Sequence, residues 1–194
     1  MIRQDYFTNY IKGEVYTYGL KCTSPQFDID EREVIFVAQG EEKKIRVVHD
    51  SYSRRFLQIH VVGQAKVEVE IVLIAKENST LDSYIEILHE GDEGKSTLIV
   101  RGYIEGNGRI ISRILTHVPH EVFRVHATQN VTLYQFGTDG VIDCIPMLEI
   151  ENKTTVSSHA VRLEKITESE YWQASRNGMT AEVYQDLKKE SLGR

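Results

Sequence analysis

The stretch AKVEVEIVLIA, residues 65–75, alternates apolar and charged side chains and ends in a continuous apolar run. Alternation with a period of two is typical of a β-strand with one buried face, and valine and isoleucine favour that conformation. Similar segments lie on both sides of it, separated by glycine-containing turns: EVIFVA, KKIRVVHD, RFLQIHVVG, SYIEILHE, STLIVRGYIEG, RIISRILTHV, EVFRVHA and VTLYQF. The pattern predicts an all-β body.

The strand pattern alone does not decide how the strands are arranged. No helical pattern interrupts them, which disfavours a doubly wound α/β fold. A sandwich, a barrel and a solenoid of stacked parallel coils all remain, and the turns follow no strict repeat. The sequence by itself leaves these three architectures open.

The C-terminal thirty residues have a different pattern. Thr167 and Glu170 form a capping box, which predicts a helix through Tyr171 and Trp172 that ends near Asn177 and Gly178. A second helix is expected after Thr180. We therefore predict three segments: an N-terminal segment of no assigned role (1–34), a β core (35–165) and a short C-terminal helical region (166–194).

Composition excludes several classes of partner. The net charge is −6 and basic residues are mixed with acidic ones along the chain, so no nucleic-acid partner is expected. No apolar run is long enough to cross a bilayer, and the start lacks the apolar stretch of a signal peptide. Cys22 and Cys144 are far apart and no CxxC motif occurs. These features predict a cytoplasmic protein without a membrane partner.

Two motifs suggest ligand chemistry. The segment GDEGKST, residues 91–97, is similar to the end of a phosphate-binding loop, but a strand follows the lysine where that motif requires a helix. We therefore interpret it as a turn. The segment HVPHEVFRVH supplies His117, His120 and His126 as candidate ligands for zinc or iron, with surface or packed histidines as the alternative.

The element SSHA contains a histidine whose role the pattern does not decide. His159 adjoins Ser157 and Ser158, which is poor geometry for a nucleophile and its base, because triad members normally come from distant segments. A ligand and a buried structural histidine both remain.

The C-terminal third resembles a known family. DCIPMLEIENKTTVSSHAVRLEKITESEYWQASRNGM is similar to the end of the β-helical core of the SufB/SufD proteins, which assemble iron–sulfur clusters in the SUF system. Pro146, Leu148, Glu149 and Ile150 match the Pro-x-Leu-Glu-Ile element. Ser158 and His159 match the Ser-His element, with Ala160 in place of glycine. Ile166, Glu168, Trp172 and Gly178 match the residues that follow, and a weaker likeness extends upstream to about residue 55.

The resemblance implies a right-handed parallel β-helix followed by short helices. It also implies a non-enzymatic scaffold that forms a homodimer or a heterodimer with a SufB/SufD homologue and acts with a SufC-like ABC ATPase. The C-terminal helices would contact the ATPase, so Tyr171 and Trp172 are expected to bind that partner. A transient iron–sulfur cluster is implied at the interface between β-helix subunits.

Some positions of the chain match the functional residues of the family and others do not. His159 falls on the interface histidine of the family, whereas Asn130 falls on the cysteine of the SufB-type Thr-Gln-Cys element. Ser158 and Ala160 replace the flanking glutamates, so the chain is more SufD-like, and thiolates are the preferred ligands of iron–sulfur clusters. Strand alternation puts His159 opposite Val156, Ser158 and Ala160, and with these three inside we expect an outward imidazole at a subunit interface.

Two other functions remain alternatives. The first is a metal-dependent enzyme on a β-solenoid or barrel, with its metal held by His117, His120 and His126. The second is an interaction module without cluster chemistry, which Asn130 at the cysteine position favours over full SufB-like activity.

Overall fold

A computed structural model of the chain describes residues 14–17, 20–23, 31–50, 54–136 and 139–166. These residues contain strands and turns and no helix. The strands are β1 Glu14–Thr17, β2 Leu20–Thr23, β3 Glu31–Val37, β4 Glu42–His49, β5 Arg54–Val61, β6 Lys66–Ala75, β7 Thr80–His89, β8 Lys95–Glu105, β9 Arg109–Val118, β10 His126–Phe136, β11 Val141–Ile150 and β12 Val156–Ile166.

The strands from β3 onward form two five-stranded parallel sheets. Their orders are β11-β9-β7-β5-β3 and β12-β10-β8-β6-β4, so each coil contributes one strand to each sheet. Only β1 and β2 pair antiparallel, in a separate two-stranded sheet. The predicted all-β body and the parallel solenoid are confirmed, and the sandwich and barrel alternatives are wrong for the described residues.

Alternation in each strand produces the core between the two sheets. In β6, Val67, Val69, Ile71 and Leu73 are buried inside, whereas Lys66 and Glu68 are exposed outside. Because the strands pair in parallel register, apolar residues stack on apolar residues of the next coil. Ile45, Val69 and Leu98 form one such row through β4, β6 and β8. Each fully buried aliphatic side chain of this kind contributes about 1.5–3 kcal/mol.

Stacked turns join the sheets. Asn78 and Asn107 lie 29 residues apart in equivalent turns, and the Nδ2 of Asn107 donates to the Oδ1 of Asn78 at 2.8 Å. Asn78 adopts a φ of 61°, which asparagine tolerates better than most residues. Residues 91–94 of GDEGKST form a turn, as expected, and β8 begins at Lys95 of the same segment.

Two sequence predictions differ from the structure in detail. EVFRVHA is not a strand, because residues 121–125 belong to the connection between β9 and β10, and β10 begins only at His126. The solenoid strands run from residue 31 to residue 166, slightly beyond the predicted limits of 35 and 165. The predicted C-terminal helices lie outside the described residues.

Candidate functional site

The last coil presents two strand edges at one end of the solenoid. Among the described strands, β12 pairs only with β10 and β11 pairs only with β9. Three large apolar side chains of β12 are exposed: Val156 (61%), Val161 (54%) and Leu163 (52%). An unpaired edge with apolar side chains is a template for a further strand.

His159 lies on this strand and belongs to the inner face of its sheet. It pairs in register with Gln129, which pairs with Leu98, and Leu98 pairs with Val69. Gln129, Leu98 and Val69 are fully buried, so their row points into the solenoid.

The expected outward imidazole is therefore wrong. Alternation in β12 was correctly assigned, but the inner set is Ser157, His159, Val161 and Leu163, continuing the buried row of β10. His159 is nevertheless exposed, because its coil has a described neighbour on one side only. His159 therefore lies at the last described coil, where the core between the two sheets ends.

The residue next to His159 in this inner row, Gln129, is polar. Neither the Nε2 nor the Oε1 of Gln129 has a hydrogen-bond partner among the described residues, and the same holds for the Oγ1 of Thr116. Both side chains are fully buried. Buried polar groups without partners are rare and mark positions where function outweighs stability.

The position assigned to the family cysteine lies on the other face of the sheet. Asn130 pairs in register with Ala160 and is exposed, whereas Gln129 beside it is buried. Asn130 and His159 therefore face opposite sides of the same sheet, and the structure does not bring them together.

Cys144 offers a thiol but not a thiolate. It lies on the inner face of β11, in register with Ser112. Burial raises the pKa of Cys144 to about 12, with a partial opposing effect of Arg113 and a further increase from Asp143. A thiol of this kind is protonated at neutral pH and is a poor ligand until a metal displaces its proton.

The three candidate metal-binding histidines do not converge. His126 begins β10, is exposed, and pairs with Lys95 and Val156. The imidazole of His120 lies in the exposed connection, 3.3 Å from Glu121. His117 is buried and contacts Glu151, with 3.1 Å between Nε2 and Oε1.

His117 instead forms a cluster with two carboxylates. One ligand atom each from His117, Glu149 and Glu151 lies within 4.8 Å of the others, the one such group among the described residues. In the sequence, Glu149 stands out only as part of the Pro-x-Leu-Glu-Ile element, and no motif marks Glu151. Their proximity to His117 depends on which coils stack, which no local pattern reveals.

Tyr171 and Trp172 lie outside the described residues.

Together these features define a parallel β-solenoid protein whose final coil carries an accessible histidine. The model of the family described as SUF system FeS cluster assembly, SufBD core domain, matches residues 23–183. The chain belongs to this family, and it takes part in iron–sulfur cluster assembly by the SUF system. Comparison with curated proteins gives no match. No described helix has the length and hydropathy needed to span a membrane.

Proposed function

We propose that the chain is a non-enzymatic, cytoplasmic scaffold of the SUF machinery that associates through its last coil with a second β-helix subunit. The observation that carries this proposal is the edge of β12 that no described strand pairs with, together with the exposed apolar side chains of β12. Edge strands bind further strands through main-chain hydrogen bonds, and exposed apolar side chains add affinity. A second copy or a SufB/SufD homologue would continue both sheets.

The iron–sulfur cluster is the cargo of this scaffold. Thiolates are its preferred ligands. The chain offers His159 at the proposed interface, while Asn130 replaces the family cysteine and the thiol of Cys144 is protonated at neutral pH. We infer that a partner subunit supplies most cluster ligands and that His159 contributes one imidazole or a hydrogen bond.

A SufC-like ABC ATPase is the second proposed partner. This inference depends on the resemblance of residues 166–194 to the family's C-terminal helices. Recovery of an ABC ATPase with the tagged chain from the native cytosol would support it. Replacing Trp172 with Ala should reduce that recovery, whereas substitutions in β12 should not.

Charge substitutions at the two ends of one sheet test the proposed interface. Val161→Lys introduces a cation on β12, and Val48→Lys introduces one on β4, the outermost strand at the other end; both valines are exposed (54% and 41%). We expect Val161→Lys to reduce association at least tenfold in sedimentation velocity, with or without an added homologue. Val48→Lys should associate as the wild type does. Equal loss in both variants, or association unaffected by Val161→Lys, would contradict the proposed surface.

An interaction module without cluster chemistry is the second candidate, and the thiol pKa of Cys144 favours it. Anaerobic incubation of the associated protein with iron and sulfide separates the two functions. The scaffold should develop the visible absorption of an iron–sulfur cluster, and His159→Ala should reduce it without changing association. An associated complex without that absorption would identify a module.

A further inference from the structure

The cluster of His117, Glu149 and Glu151 is built by stacking of coils. His117 is the ninth residue of β9, and parallel pairing puts it beside Glu149 of β11. Glu151 follows the end of β11. Strand alternation points His117 and Glu149 to the outer face of the sheet, opposite to the core residues Ile110 and Ile114.

The distances fit ligands of one ion. Nε2 of His117 is 3.1 Å from Oε1 of Glu151, and a ligand oxygen of Glu149 lies within 4.8 Å of both. Two donors each about 2.1 Å from a tetrahedral or octahedral ion are about 3.0–3.4 Å apart when adjacent. The observed separation of the first pair lies in that range, and rotation of the half-buried Glu149 side chain closes the remaining gap.

The surrounding backbone holds Glu151 in place. The backbone N–H of Glu151 donates to the carbonyl of Val118 at 3.0 Å, and Oε2 of Glu151 accepts from the N–H of His120 at 3.2 Å. Asn152 donates through Nδ2 to the carbonyl of Val122 at 2.6 Å. His117 itself is buried, so its imidazole has little rotational freedom to lose on binding.

No cation among the described residues neutralises Glu149. The carboxylate of Glu149 forms no ion pair or hydrogen bond with a described residue, although it lies next to a second carboxylate. Two adjacent carboxylates repel each other, and a divalent cation between them removes that repulsion. A neutral imidazole and two carboxylates are a ligand set of intermediate softness.

We propose that His117, Glu149 and Glu151 bind one divalent first-row transition-metal ion such as Zn²⁺, Fe²⁺ or Mn²⁺. Nε2 of His117 and one oxygen from each glutamate are the ligands, and solvent completes the coordination because Glu149 and Glu151 are accessible. The site lies on the outer face of the β11 sheet, whereas His159 lies on the inner face of the other. It is therefore separate from the proposed cluster interface and does not depend on it.

Titration of the purified, chelator-treated chain with Zn²⁺ tests the site. Calorimetry should give one ion per chain, and Glu149→Gln and Glu151→Gln should each weaken binding at least tenfold. Glu121→Gln is the matched control, because it removes an exposed carboxylate of the same region whose contact among the described residues is with the imidazole of His120. It should bind as the wild type does.

Two further measurements exclude indirect effects. Far-ultraviolet circular dichroism should be the same for all the glutamine variants, since the substitutions are isosteric and lie at accessible positions. Co²⁺ should give visible absorption whose intensity and position indicate mixed nitrogen and oxygen ligation, and Glu149→Gln should require at least tenfold more Co²⁺ to reach it. Absence of stoichiometric binding, or equal affinity of Glu149→Gln and Glu121→Gln, would overturn the proposal whether or not the chain associates with a partner.

Discussion

At the scale of single residues, the inner row that ends at His159 contains a polar side chain where burial favours an apolar one. Gln129 buries a whole primary amide between Leu98 and His159, and neither polar atom has a partner among the described residues. Leaving a buried donor or acceptor unpaired costs about 1–3 kcal/mol. Because Gln129 costs stability and lies next to His159, we infer that it contributes to binding a partner or ligand at the last described coil.

Gln129→Met should therefore stabilise the isolated chain. Methionine has a similar length and no group that needs a hydrogen bond, so we expect the free energy of unfolding to rise by about 1–2 kcal/mol. Urea denaturation at neutral pH measures the change. Thr132→Met, on the half-exposed outer face of the same strand, is the control and should change stability by less than about 0.5 kcal/mol. A loss of stability in Gln129→Met would show that the amide is satisfied in solution.

His159→Ala should separate stability from function. The imidazole is exposed on the last described strand, so its removal should change the free energy of unfolding by less than about 0.5 kcal/mol. Reconstitution of an iron–sulfur cluster on the associated protein should nevertheless fall. If unfolding became easier by several kcal/mol while cluster formation stayed normal, His159 would be a structural residue.

His89 makes the fold sensitive to acid. Burial lowers the pKa of His89 from 6.5 to about 4, with a smaller contribution from His117. Between these two pH values the unfolded chain binds a proton that the folded chain excludes, so stability falls as the pH drops from about 6.5 to 4. The linkage amounts to about 3 kcal/mol for the metal-free protein.

Denaturation of His89→Gln at pH 7 and pH 4.5 measures this effect. The variant should lose about 2–3 kcal/mol less than the wild type over that interval, whatever its stability at pH 7. His126→Gln removes an exposed histidine and should follow the wild type. Equal losses in His89→Gln and the wild type would assign the acid sensitivity to other groups.

At the scale of elements, the turns are as closely packed as the strands. A Cβ added at Gly91 would lie 2.5 Å from the backbone nitrogen of Gly63 and 2.7 Å from its Cα, in the equivalent turn of the preceding coil. Real Cβ atoms do not approach backbone atoms this closely, so two stacked turns would have to separate. Glycine at this position is required by contact between coils and not by its own dihedral angles.

Gly91→Ala should accordingly destabilise the chain by at least about 2 kcal/mol, as overpacking against rigid backbone does. Thermal unfolding compares it with Gly40→Asn in another turn, where a Cβ meets no atom within 4 Å. Asparagine tolerates the positive φ of Gly40, so that variant should lose less than about 0.5 kcal/mol. Wild-type stability in Gly91→Ala would show that the turns do not touch in solution.

The strands were predictable from sequence because the alternation of apolar and polar residues is visible within each short segment. Alternation in residues 65–75 predicts β6 and its buried face, and the strand that begins at Lys95 within GDEGKST excludes a phosphate loop. The valine and phenylalanine residues of EVFRVHA favour a strand, which explains the wrong assignment. The same residues also occur in connections between strands, so residue type alone does not separate the two. Val122 and Val125 in fact pack with Val118 and Ala127 at the end of the core.

The functional site was less predictable because its geometry is non-local. Coil length varies, since Arg46 contacts Glu70, 24 residues away, whereas Ser158 contacts Thr128, 30 residues away. No fixed period therefore shows which residues stack, and the grouping of His117 with Glu149 and Glu151 was not foreseen. The direction of His159 was misassigned because small side chains in β12 resemble an interior set, although the register with β10 puts them outside.

At the scale of the whole molecule, burial changes along the solenoid. Nearly every residue of β7, in the middle coil, is buried, whereas nearly every residue of β12 is exposed. A stack of coils is stabilised mainly by contacts between neighbours, so a terminal coil with one described neighbour has the lowest local stability. The coil that carries His159 is therefore more easily reshaped by a partner than the middle coils are.

Amide hydrogen exchange should follow this gradient and report association. In the dilute isolated chain, the amides of β7 and β8 should exchange slowest, and those of β12 fastest, because one edge of β12 leaves main-chain groups without a described strand partner. When the protein associates, exchange in β12 should slow at least tenfold, while β4 at the other end stays unchanged. Val161→Lys should remove that protection and leave exchange in β7 as it was. Protection that appears at β4 instead would place the partner at the N-terminal end of the solenoid, where His159 could not reach it.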